Sequence, residues 1–157
     1  MKKMLLPMVL LVFLAGCSKT EYSPVINTEF CQYAVYKTGD FSYNCRVERR
    51  DDAIIVTPTD TYAKGMTVTC DGGNVVFCYD DMTQSFSVSD VNPRNPAYVL
   101  YQVFSNLQDR RVIKVADGFQ YSGKTTAGDY TLVQGMDNSF LTLVIPDADI
   151  SVSFKNP

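Results

Sequence analysis

From residue 29 onward, apolar and polar positions alternate with a period of two over short runs, the pattern of strands that bury one face. Cys31, Tyr33 and Val35 alternate with Gln32, Ala34 and Tyr36. Beyond Thr38-Gly39-Asp40, the residues Phe41, Tyr43, Cys45 and Val47 alternate with Ser42, Asn44, Arg46 and Glu48. A three-residue turn at 38–40 predicts Val35 opposite Tyr43, Tyr33 opposite Cys45 and Cys31 opposite Val47, all on one face. Ile26, Phe30 and Ala34 have helical spacing over 25–37, but aromatic and β-branched enrichment favours a strand.

A third strand is predicted over 53–57, ended by Pro58. The clearest hairpin joins 66–71 to 74–80 around Gly72-Gly73, with Cys70 facing Val75, Val68 facing Phe77 and Met66 facing Tyr79. Cys78 then pairs with Thr67 and points the other way. One helix is predicted over 95–108: Asn95 caps it, Pro96 takes its first position, and Val99, Leu100, Val103, Phe104 and Leu107 form its apolar stripe. That stripe is the kind that packs on a sheet. Strands resume at 111–116, 119–121, 129–133, 140–145 and 149–154, with a turn at Pro146-Asp147-Ala148-Asp149.

The first residues read differently. Met1-Lys2-Lys3 precede an apolar run from Met4 to Leu14, then Ala15-Gly16-Cys17. A basic start, a short apolar stretch and small residues before a cleavage point follow the plan of a secretory signal. The run is well short of the ~20 residues a spanning helix needs. Leu14-Ala15-Gly16-Cys17 resembles the lipobox of bacterial lipoproteins, which implies cleavage before Cys17 and diacylglycerol on its sulfur. Two or more acyl chains anchor a protein stably where one does not. The expected layout is a signal at 1–16, a lipidated tether at 17–28 and a single β-rich domain at 29–157. Expected location is outside the cytoplasm, anchored to a bacterial membrane, the outer one where the cell has two.

Charge and composition narrow the function. Removing 1–16 from the 157 residues leaves 141, with twelve basic residues against seventeen acidic ones and a net charge of −5. That opposes nucleic acid as a partner, which needs a basic stripe. There is no histidine, so imidazole bases, Ser-His-Asp triads and the commonest metal ligand are missing. Catalytic and metal residues are therefore expected to be none, and cofactors likewise. A hydrolase built on carboxylates would need two acids converging in a cleft, but Asp51-Asp52 and Asp80-Asp81 fall at strand ends, where adjacent side chains diverge.

Four cysteines remain besides Cys17: Cys31, Cys45, Cys70 and Cys78. An even number outside the cytoplasm permits disulfides, and Cys31 and Cys45 are diagonal neighbours in the predicted first hairpin. Buried free thiols are the alternative. Gly118-Phe-Gln-Tyr-Ser-Gly123-Lys124-Thr125 matches the letters of a phosphate-binding loop. Such a loop needs small residues and a helix directly behind it. Here Phe119 and Tyr121 alternate like a strand and 126–131 form helix poorly, so a hairpin turning over 122–128 is predicted and no nucleotide is expected.

The order of elements over 41–154 resembles the LolA/LolB-type lipoprotein carriers. The parts that carry the likeness are the strand pair 41–48 and 53–57, Gly65-Met66-Thr67-Val68, Asp71-Gly72-Gly73-Asn74-Val75-Val76-Phe77, the Pro-headed helix at 96–107 and the ending Val152-Ser153-Phe154. The resemblance implies a mainly β fold: a curved antiparallel sheet, an unclosed half-barrel, with one main helix over its concave face. It also implies an apolar cavity, for which Tyr43, Val68, Phe77, Val99, Val103 and Phe104 are the candidate lining. The chain departs from the family's soluble carrier in having a lipobox and no Arg within Pro58-Thr59-Asp60-Thr61-Tyr62. Fold alone does not carry a trafficking role. The expectation is a non-enzymatic anchored protein that binds an acyl chain, another lipid or a hydrophobic peptide. A structural or regulatory envelope protein acting through protein contacts is the alternative.

Overall fold

The computed structural model describes residues 24–155. Cys17 and the predicted signal lie outside the described residues. The chain is mainly β. Strands β1 (Phe30–Thr38), β2 (Phe41–Arg50), β3 (Ala53–Pro58), β4 (Thr67–Cys70), β5 (Asn74–Tyr79) and β6 (Met82–Ser87) follow one another as antiparallel neighbours. After helix α1 (Pro96–Phe104) come β7 (Arg111–Val115), β8 (Gly118–Thr125), β9 (Gly128–Gly135), β10 (Phe140–Ile145) and β11 (Ile150–Phe154). β11 returns to pair with β1. The result is one unclosed sheet in the order β6-β5-β4-β3-β2-β1-β11-β10-β9-β8-β7.

Helix α1 packs on β3 and β4, and also on β8. β3 and β8 stand six places apart in the sheet, roughly 29 Å if it were flat, whereas a helix is about 10 Å across. One helix touches both because the sheet curves around it. Ala97, Val99, Leu100, Val103 and Phe104 are all buried in that contact. The rings of Phe30, Phe104 and Phe140 meet at 4.7–5.0 Å, with Phe154 about 6 Å away, closing the core where the helix ends.

Asn95 caps α1 as expected: its side chain accepts from the Tyr98 N–H at 3.2 Å, with Pro96 in the first turn. The α-helix stops at Phe104, four residues before the predicted end, and Leu107–Asp109 forms a 3-10 turn. Ser105 and Asn106 are weak helix formers, and Arg49 reaches in from β2 to donate to the Phe104 carbonyl at 2.8 Å.

The β4–β5 hairpin keeps its predicted register: Cys70 pairs with Val75, Val68 with Phe77 and Thr67 with Cys78. Its turn is local, with the Asp71 carboxylate accepting from the Gly73 and Asn74 N–H groups. The β1–β2 hairpin differs. Its turn has two residues, Gly39 and Asp40, and Thr38 already pairs with Phe41. Gly39 has φ +56°, a left-handed conformation glycine adopts without strain. The shorter turn slides the register by one and reverses the parity of β1. Ala34 opposes Cys45, and Gln32, Ala34 and Tyr36 point inward, while Tyr33 is 54% exposed.

β8 runs unbroken over Gly118–Thr125, so the segment with phosphate-loop letters is strand throughout. The turn to β9 is confined to Thr126 and Ala127, shorter than the predicted 122–128, because Lys124 and Thr125 still pair with Asp129 and Gly128. β6, Met82–Ser87, was not predicted: only two of its six residues are large and apolar, and all six are exposed.

Candidate functional site

The loop after β3 turns back over the sheet through residues 59–66. Thr61 accepts from the Ala63 N–H through its hydroxyl at 3.2 Å, and the Lys64 and Met66 N–H groups donate to the Thr61 and Ala63 carbonyls. Pro58 ends the strand and Pro96 starts the helix. Between them lies a cleft of about 190 Å³, lined by Phe41, Tyr43, Val56, Pro58, Thr61, Ala63, Met66, Val68 and Pro96. Thr61 is the one polar side chain of the lining other than the Tyr43 phenol, and its hydroxyl oxygen accepts from the loop's own backbone. Tyr43 stacks on Tyr36, with centroids 5.5 Å apart, and Phe41 leans on Tyr43 at 5.7 Å. Burial pushes the phenols of both tyrosines well above their ordinary value, with the nearby Cys45 sulfur adding to the effect. Tyr43 is thus an uncharged wall of the cleft, with Tyr36 packed against it.

Of the six residues expected to line a cavity, Tyr43 and Val68 do so. Phe77 borders a separate hollow with Met66, Tyr79 and Met82. Val99, Val103 and Phe104 are fully buried and fill the space between helix and sheet. The helix stripe therefore fills the space over β3, β4 and β8 that was expected to be cavity, and the cleft lies beside the helix N-terminus. Phe41, Val56, Pro58, Thr61, Ala63, Met66 and Pro96 were not anticipated. Pro58 and Pro96 were visible as punctuation, but nothing local brings residues 38 apart against one another.

No known family pattern matches this chain, and neither does any curated protein sequence.

The remaining chemistry is distributed. A larger hollow of about 630 Å³ is bordered by Cys31, Tyr33, Asn44, Asp60 and Lys155. There Lys155 Nζ donates to Asn44 Oδ1 at 2.6 Å, and Asn44 donates to Asp60 through both its backbone N–H and its side-chain amide. Acid and base in this hollow are joined through Asn44. Asp51 and Asp52 (φ 49° and 61°) make the β2–β3 turn, and Asp80 (φ 49°) and Asp81 the β5–β6 turn. Among the described residues no three His, Cys, Asp or Glu side chains come together as metal ligands. Glu48 is nearly buried between Arg46 and Arg50, at 2.7 and 3.1 Å, an ion-paired structural carboxylate.

The four described cysteines are free thiols. The observed register opposes Cys31 to Glu48 and Cys45 to Ala34, so Cys31 and Cys45 lie on opposite faces of the sheet. A disulfide between them is incompatible with that pairing. Burial raises the Cys45 thiol from 9.0 to about 12, with Asp60 adding to the rise, and burial raises Cys70 as well. No described helix is long and apolar enough to cross a membrane.

Proposed function

We propose that this chain is a lipid-anchored, non-enzymatic protein of a bacterial envelope, tethered through Cys17, that holds an apolar ligand beside helix α1. The observation that carries this reading is the cleft between β2–β4 and Pro96. Apart from Thr61 its walls are aromatic, aliphatic or proline, and it opens to solvent at Phe41, which is 58% exposed. At about 190 Å³ it falls below the roughly 300–1,000 Å³ of pockets that enclose whole small molecules. It suits the end of an acyl chain or one or two side chains of a hydrophobic peptide, at about 0.8 kcal/mol per buried methylene. The unclosed curved sheet around one helix is consistent with a half-barrel of the LolA/LolB type, and the lipobox at 14–17 supports the anchor.

The test uses a dansyl-labelled long-chain fatty acid titrated into the full chain with Cys17→Ser. Binding should shift the dye emission to the blue. Ala63→Trp, which fills the cleft from a loop position, should weaken binding about tenfold, equivalent to two methylenes left unburied. Binding that Ala63→Trp leaves unchanged, or no binding at all, would overturn the reading.

A further inference from the structure

The two edges of the sheet are not equivalent. β7 carries Arg111 and Lys114 within five residues, the kind of charge that discourages strand addition. β6, Met82-Thr-Gln-Ser-Phe-Ser87, carries no charge and no proline. The two-residue turn at Asp80-Asp81 closes on the pair Tyr79–Met82, and the alternation of antiparallel bonding then directs Met82, Gln84 and Phe86 to β5. Thr83 and Ser85 consequently aim their N–H and C=O groups outward. The next outward carbonyl, at Ser87, accepts from the Asp90 N–H at 2.9 Å, which closes that end of the strand. On the inner face Met82 is 66% and Phe86 41% exposed.

We propose that β6 is a self-association edge, and that its occupant is β6 of a second copy of this chain. The sequence is self-complementary in one antiparallel register, with the two-fold axis at Gln84. Thr83 then opposes Ser85 of the second copy, and Ser85 opposes its Thr83, so the outward groups are the ones that meet. These two pairs exchange four backbone bonds. Gln84 meets its own counterpart, and Met82 lies over Phe86 twice, in the closer non-bonded pairs where side chains interact most. The same axis sets Asp81 against Ser87, so at the end of the strand a carboxylate meets a hydroxyl and not another carboxylate. A two-fold pairing uses one edge per copy and closes, whereas pairing β6 with β7 would build an open chain. Residues facing each other across the axis also keep the same side of the sheet, because their numbers share parity.

The experiment is site-specific oxidation in cells expressing the full chain, in a Cys31→Ser background that removes the exposed native thiol. Gln84→Cys should give a disulfide dimer, its Cα atoms about 4.5 Å apart across the axis. Met82→Cys, about 13 Å from its counterpart at strand rise, should give about tenfold less. Ser85→Pro removes an outward N–H that β5 does not use, so the fold persists while the Gln84→Cys dimer disappears. Thr83→Lys should act the same way by setting ammonium groups on the edge, and guards against a local effect of the proline. Equal cross-linking at 82 and 84, or none at 84, would overturn the proposal. So would a Gln84→Cys dimer that survives both edge variants.

Discussion

The side chain of Gln32 completes the sheet beside Phe140. Its Nε2 donates to the Phe140 carbonyl at 3.2 Å, and the Phe140 N–H donates back to Oε1 at 3.0 Å. β11 has ended at this level: Phe154 pairs with Ala34, and the Lys155 N–H donates to the Tyr33 carbonyl. The carboxamide therefore satisfies two buried backbone groups that no strand reaches. The irregular register of β10 between Phe140 and Thr142 falls at the same place.

Gln32→Leu should cost about 2–4 kcal/mol, since a buried N–H and C=O each lose their partner. Urea denaturation should show a lowered midpoint with an unchanged slope. A loss under ~1 kcal/mol would mean that water or a shifted backbone replaces the amide.

Two glycines with positive φ should respond very differently to alanine. A Cβ on Gly39 meets nothing within 4 Å, so Gly39→Ala carries only the left-handed backbone cost of about 1–2 kcal/mol. A Cβ on Gly118 would overlap the Gln134 carbonyl oxygen across the β8–β9 pair, where backbone cannot yield cheaply. Gly118→Ala should lower the thermal midpoint far more than Gly39→Ala. Similar midpoints for the two variants would contradict the observed approach of β8 to β9.

Thiol labelling reads the β1 parity directly. In the native chain carrying Cys17→Ser, Cys31 should react with a small thiol reagent at once. Cys45 and Cys70 should react only on unfolding, because both are buried and their thiols are held protonated by that burial. Protection of Cys31 in the native chain would restore the alternative register, which buries it on the same face as Cys45.

Alkaline stability follows from the same burial. Cys45 rises from 9.0 to about 12 and Tyr121 from 10.0 to about 12, and desolvation raises Tyr36 and Tyr43 further. The native state keeps protons that the unfolded chain releases, so stability is complete below pH 9 and falls between pH 9 and 12. Urea midpoints should be level up to pH 8.5, within about 0.3 M, and drop progressively toward pH 11. Cys45→Ala should make the decline shallower. A midpoint unchanged at pH 11 would contradict the burial of these groups.

The chain's own order determined most of the strand pattern, because its signals act within a few residues. The Asp71–Asn74 turn sets the β4–β5 register, Asn95 and Pro96 start the helix, and the alternation of Phe119 and Tyr121 identifies a strand despite phosphate-loop letters. Tertiary structure decided what depends on distant partners. Both faces of β1 read as apolar, and Gln32 turns inward to serve Phe140, 108 residues away. The helix ends where Arg49, 55 residues earlier, takes the Phe104 carbonyl. The cleft joins Phe41 to Pro96, and its size depends on how much of the inner face the helix stripe fills. β6 becomes a strand through its pairing with β5, since its own residues carry little apolar signal. Periodicity reports which residues can be buried, while the partner's geometry selects the face and leaves the remaining gap.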